Sequence, residues 1–299
     1  MPQYLDPKND LTFKRVFGEH KHLCISLLNS MLPLEKPVVS IEYQTGELIP
    51  ELADTLRNTI VDVRCTDSDG RQFLVEMQLF WYDCFKKRVL LNASKAYVMQ
   101  LDIAQEFKLL KPVYSLNFVN GTFEKSPGME HEYYHHYKIV NIKDTEKQIE
   151  GLEFVFLELP KFKPQNRAEK KLHDLWLRFL TEVGETTEEI PQEFLDEKDI
   201  REAVEYMKIG AYTKEQLLTY DKCKVDVMTA RSMLSEAEEK GEAIGLEKGE
   251  AIGLEKGENK KALAIALKML QMDMPVEVVS KATGLSAQQM EQLIKAANQ

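Results

Sequence analysis

The chain has 299 residues, 43% of them hydrophobic, and a net charge of −10 at neutral pH. That is enough apolar material for one large domain or two smaller ones, and the acidic balance argues against a surface coated for nonspecific nucleic-acid binding while leaving room for a local basic cleft. No window nears the roughly 18 apolar residues of a membrane helix, and the opening Met-Pro-Gln-Tyr-Leu resembles no signal segment, so a cytoplasmic protein without membrane contact is expected. Cys24, Cys65, Cys84 and Cys223 lack CxxC spacing and read as reduced thiols.

In chain order, Asp10 to Leu32 repeats apolar residues at helical spacing (Leu11, Phe13, Val16, Phe17, Leu23, Leu27), with Asn9 or Asp10 as the cap and Pro33 as the stop. Val38 to Tyr43 is a short strand. Thr59 to Phe80 reads as a hairpin, because two β-rich runs flank the turn pair Asp69-Gly70. Alternation puts Ile60, Asp62 and Arg64 on one face of the first strand and Val61, Val63 and Cys65 on the other. On the second strand Glu76 and Gln78 share a face, opposite Phe73, Val75, Met77 and Leu79.

If the register sets Asp62 beside Glu76, two acids and an amide converge on an otherwise apolar hairpin. An uncompensated buried carboxylate pair is strongly disfavoured, and a divalent cation is the common remedy. The other reading of the same residues is the solvated face of an amphipathic hairpin. Beyond it, Cys84 to Lys108 is an amphipathic helix (Val89, Ala93, Ala96, Leu101, Ala104) with Lys86, Lys87 and Arg88 in its opening turn, and Pro112 to Val119 is a further strand.

This order of helix, three strands, helix and strand, with Asp on the second strand and Glu-x-Gln on the third, resembles the core of the PD-(D/E)XK nuclease superfamily. More narrowly, Asp-Pro-Lys-Asn-Asp at 6–10, Leu-Thr-Phe-Lys-Arg-Val-Phe-Gly at 11–18, Leu27-Leu28-Asn29, Val61-Asp62-Val63, Val75-Glu76-Met77-Gln78 and Phe-Leu-Glu-Leu-Pro-Lys-Phe at 156–162 are similar to the bacterial family of recombination-promoting nucleases and transposases. The resemblance spans roughly residues 4 to 163.

It implies an α/β nuclease-like core that cleaves DNA by hydrolysis with Mg2+. Asp62 and Glu76 would hold the metal, joined by the backbone carbonyl of Met77. Gln78 stands where most of the superfamily has lysine; an amide orients a water by hydrogen bonds but supplies no charge. Asp10 and Glu19 are outer-shell acid candidates, with helix cap and exposed charge as the alternative. Lys14, Lys87 and Arg88 are candidates for the DNA backbone, where cations add affinity without sequence information. A nuclease-like DNA-binding or assembly protein with weakened catalysis is the alternative function.

His131-Glu132-Tyr133-Tyr134-His135 matches the zinc-protease pattern, but its tyrosine-rich, Pro-Gly-flanked context favours a polar β-segment over a helix. Glu153 to Leu159 is another core strand, stopped by Pro160. The expected divisions are a core at 1–165, a helical extension at 166–238 (helices Ala168 to Glu182, Pro191 to Ile209 and Thr213 to about Lys240), a glycine-periodic helical tether at 239–261 and a small helical hairpin at 262–299. The tether repeats Glu-Lys-Gly-Glu-Ala-Ile-Gly-Leu at 239–246 and 247–254, and offers a route to a homo-oligomer. The last segment reads as a packing or partner-binding hairpin rather than a DNA reader, because its second helix offers only Gln288, Gln289, Gln292 and Lys295, with Glu291 among them.

Overall fold

The computed structural model describes residues 3–44, 47–48, 59–101, 106–164 and 171–297. They divide into two compact units, Met1–Met228 and Thr229–Gln299. The first is a mixed sheet between two helical layers. Its strands are β1 (Ile41–Tyr43), β4 (Val63–Asp67), β5 (Gln72–Gln78), β6 (Val113–Val119), β7 (Tyr134–Asn141) and β8 (Asp144–Glu158), in the order β1-β4-β5-β6-β8-β7. β5, β6 and β8 run parallel, and the other neighbours are antiparallel. A separate two-stranded ribbon joins β2 (Glu47–Leu48) to β3 (Thr59–Ile60).

The expected first helix is interrupted. α1 (Asp10–Phe13) passes into a π-helical turn at Lys14–Gly18, and α2 (Lys21–Met31) starts afresh. The break is stabilised by His20, whose Nδ1 lies 2.7 Å from the Arg15 carbonyl and whose ring stacks on Tyr206. Asn9 is the cap, its side chain accepting the Leu11 N–H.

The expected hairpin exists from Val63 onward. Gly70 takes a positive φ of 83° in its turn, where Asp67 accepts the N–H groups of Asp69 and Arg71 and pairs with the Arg71 guanidinium. Thr59 and Ile60 pair elsewhere, and the chain bends at Asp62. Val61 consequently packs with Leu74, Ala93 and Ala96, whereas Val63 and Cys65 enter the cluster on the opposite face; the expected shared face of these three ends at the bend.

One layer consists of α1, the π turn, α2, α4 (Leu172–Glu182) and α6 (Lys198–Met207), which bury Phe13, Phe17, Leu27, Trp176, Phe179 and Val204 against Val63, Phe73, Val75, Phe118 and Leu157. α5 (Gln192–Asp196) adds Phe194. The other layer is α3 (Phe85–Val98), seated on Leu74 and Val113 through Ala93 and Ala96, and on Val119 and Phe156 through Phe85 and Val89. Residues 102–105, including Ala104 of the helix expected to reach Lys108, lie outside the described residues, as do Ala168 and the expected division near 165.

α7 (Lys214–Gln271) contains the octad repeat as regular helix, and a Cβ built on Gly241, Gly245, Gly249, Gly253 or Gly257 meets nothing within 4 Å. In the second unit α8 (Val276–Thr283) and α9 (Ala287–Ala297) turn at Gly284, which has a φ of 70°. They enclose a small core of Ala266, Val279, Leu285 and Met290. Among the described residues no helix is long and apolar enough to cross a membrane.

Trp176 is fully buried against Phe17 and Phe179, with its indole N–H on Ser26 Oγ. Trp176→Ala should lower unfolding free energy by roughly 3–5 kcal/mol in a denaturant titration, as expected for a large aromatic cavity.

Candidate active site

The sheet face beneath α3 mixes apolar side chains with buried polar ones. From β5, β6 and β8 it carries, in aligned rows, Gln72, Val113 and Leu152, then Leu74, Ser115 and Phe154, then Glu76, Asn117 and Phe156, then Gln78, Val119 and Glu158, so that Glu76, Asn117, Gln78 and Glu158 form a polar group. Period two places this polar group at the carboxyl ends of three parallel strands.

Glu76 is almost enclosed. Its Oε2 accepts Arg88 Nη2 at 2.9 Å and its Oε1 accepts Asn92 Nδ2 at 2.8 Å. The same Nη2 donates to Gln78 Oε1 at 2.9 Å, so one guanidinium joins both polar side chains of the Glu-x-Gln strand. The β4–β5 ladder pairs Val63 with Val75, and the next step would set Asp62 against Glu76; at that step the chain bends. Asp62 Oδ2 instead accepts the Met77 N–H at 2.7 Å. The expected neighbourhood of the two acids is therefore achieved through a main-chain anchor beside Glu76.

Lys14 approaches from the π turn. Its Nζ pairs with Asp10 Oδ1 at 2.7 Å and lies 4.0 Å from Asp62 Oδ1. Asp10 thus joins the cluster through Lys14. Glu19 is exposed beyond the turn and has no described hydrogen bond or ion pair to Asp62 or Glu76, while Lys87 is exposed on α3. Arg88, expected at the DNA backbone, is engaged with Glu76 and Gln78.

Burial pushes the Asp62 carboxyl up to about 7. The Met77 amide opposes the shift, Asp10 and Glu76 reinforce it, and Lys14 pulls it back. A desolvated carboxylate with two acids near it suits a hard divalent cation, and magnesium uses one or two carboxylates together with phosphate oxygens and water. The donor chemistry of Asp62 and Glu76 fits that ion. Among the described residues no group of three or more His, Cys, Asp or Glu gathers closely enough to form a metal cage by itself.

Two features escaped the sequence reading. Asn92 sits four residues after Arg88 on the buried side of α3, among Val89, Ala93 and Ala96; an amide on an apolar stripe was the available signal. A second ionic cluster closes the end of β8. Glu158 accepts Lys161 Nζ at 2.7 Å, His135 Nε2 at 3.0 Å and the N–H groups of Phe123 and Glu124. Lys161 also donates to the Glu124 and Met129 carbonyls. Burial disfavours the charge on Glu158, yet Lys161, the two amides and His135 together hold its carboxyl below the usual range. His135 lies in β7 and His131 is exposed before it, so the zinc-protease spacing falls on a turn and a strand.

The first unit is thus an α/β layer structure with cation-paired acids toward the carboxyl ends of parallel strands. Residues 7–237 match the model of the PD-(D/E)XK nuclease family transposase, and the chain belongs to that family. Residues 259–295 match the C-terminal HTH domain of the Rpn/YhgA-like nuclease family. The resemblance carried by the motifs is borne out. Within that matched C-terminal segment α8 and α9 meet at Gly284 around the small apolar core, and the domain's description adds a helix-turn-helix character that the sparse positive charge of α9 argued against. No curated protein and no solved structure matches the chain.

Because the folded pKa of Asp62 lies above the ordinary value near 3.9, its ionisation costs stability as pH rises from about 4 to 7, and the cost is constant above that range. Asp62→Asn keeps an acceptor for the Met77 amide and removes the charge. Without divalent metal it should be more stable than wild type by on the order of 1 kcal/mol or more at pH 8. The gain should vanish near pH 4 in thermal melts.

Proposed function

We propose that the protein is a magnesium-dependent DNA endonuclease acting in recombination or transposition in the cytoplasm. The observation that carries the reading is the anchoring of Asp62 on the Met77 N–H, which secures one acid at the strand position beside the other, Glu76. Asp62 and Glu76 would hold the cation, with the Met77 carbonyl as a further ligand. When bound there, Mg2+ neutralises charge on a phosphodiester and acidifies a water.

The chain's own residues do the rest. Gln78 orients a water through its amide, and Lys14 and Lys87 offer positive charge to backbone phosphates. Asp10 holds Lys14 in place through their 2.7 Å pair. The helix-turn-helix domain would supply a separate grip on duplex DNA. On α9, Gln289 is occupied by Ser286 and Asn259 and Lys295 by Glu291, which leaves Gln288 and Gln292, both exposed, as base-edge candidates.

One observation favours a second reading. Gln78 is uncharged and Glu76 already has a cation partner in Arg88, an arrangement suited to a DNA-binding or assembly protein with little cleavage. Supercoiled plasmid incubated with the protein and magnesium separates the two. Nicking or linearisation is expected, lost on chelation and reduced at least about a hundredfold by Asp62→Ala. Cleavage that survives Asp62→Ala rejects the assigned site, and DNA binding without cleavage in wild type selects the second reading.

A further inference from the structure

We infer that Arg88 is an internal counter-ion that holds Glu76 and Gln78 until a divalent cation enters, and that it then turns to a phosphate of the bound strand. The inference rests on the metal-site reading of Asp62 and Glu76. A single nitrogen, Nη2, makes both contacts at 2.9 Å, so the bridge is held at one corner of the guanidinium. The Arg88 side chain is 40% exposed while that of Glu76 is 5% exposed, which places the arginine on the solvent side of the carboxylate.

Its Nε is buried without an acceptor. Such a donor is costly, and rotation of the side chain would release it to water or to a phosphate oxygen. The guanidinium carbon lies 5.0 Å from the Phe85 ring centroid and 5.8 Å from that of Tyr82, so aromatic faces support the side chain while its hydrogen bonds change.

Charge completes the argument. Asp10, Asp62 and Glu76 face the two cations Lys14 and Arg88, so with all three acids ionised, as they are when they hold a metal, the side chains alone carry one more negative charge than positive. A divalent ion reverses the sign. A guanidinium on Glu76 is then repelled, and an anionic phosphate beside it is favoured. Arg88 would thereby couple occupancy of the acids to capture of the strand, placing a mobile cation beside the uncharged Gln78.

The test uses the full-length protein. Magnesium affinity is read by titration calorimetry, and affinity for a cleavage-resistant phosphorothioate duplex by fluorescence anisotropy, with and without magnesium. Arg88→Met should bind magnesium about tenfold more tightly, since no charge-assisted hydrogen bond must be broken on entry. It should bind the duplex about tenfold more weakly in magnesium, with a smaller loss in its absence. Arg88→Lys should fall between. Opposite movement of the two affinities is the signature, because a merely structural arginine would weaken both.

Magnesium affinity that is unchanged or weaker in a variant of wild-type circular dichroism overturns the inference. If Arg88→Met does not fold, Gln78→Leu, which removes one of the two anchors, should tighten magnesium by about threefold, and no change there overturns it equally. Wild type that binds no magnesium and cuts no plasmid sinks the metal-site reading and this inference together; magnesium binding and cleavage in wild type without tightening in the variants sinks this inference alone.

Discussion

The structure turns on acids withheld from water at one end of a sheet. Glu76 lies in β5 under α3, where a neighbouring position two residues away is filled by Leu74 packed on Ala93 and Ala96. A carboxylate there is tolerable because Arg88 and Asn92 satisfy both oxygens. Asp62 is less well compensated. Among the described residues a main-chain N–H, with Lys14 at 4.0 Å, offsets burial and the repulsion of Asp10 and Glu76.

α3 serves two chemistries at once. Phe85, Val89, Ala93 and Ala96 bind it to the sheet, and Arg88 and Asn92 reach the polar strand ends from the same helix. Displacing α3 would therefore expose core and disturb the acids together. On the other side of the sheet the π turn has a comparable double duty: Val16 and Phe17 are wholly buried, and Lys14 of the same turn faces Asp62. π-helical turns often occur where backbone geometry serves a site.

The Glu158 cluster follows a different logic. Two amides, a lysine and a histidine converge on that carboxylate, and Lys161 returns its remaining protons to main-chain carbonyls. Its charges are satisfied internally, which ties the loop before β7 to the end of β8. The contrast with Asp62 separates a carboxylate whose charge is fully paired from one that burial raises to about 7.

Much of this was legible in the residues. Turn chemistry at Asp69-Gly70, alternation along β5 and helical spacing along α3 are local properties, and they located the hairpin, the face that Glu76 shares with Gln78 and the helix that follows. The motifs from 6 to 162 also carried the family. Other features depend on partners distant in sequence. His20 reaches Tyr206, Val61 changes face because the chain bends at Asp62, and Arg88 leaves its expected surface role because β5 lies beneath α3. The helix-turn-helix character of the last segment was obscured by sparse positive charge, a weak guide to a domain whose helices are set by Gly284 and a small core. The sequence by itself determined the hairpin, the strand that carries Glu76 and the helix after it; tertiary structure alone decided where the chain bends at Asp62 and which cation meets which acid, since side-chain pairing and desolvation arise only when separate elements pack.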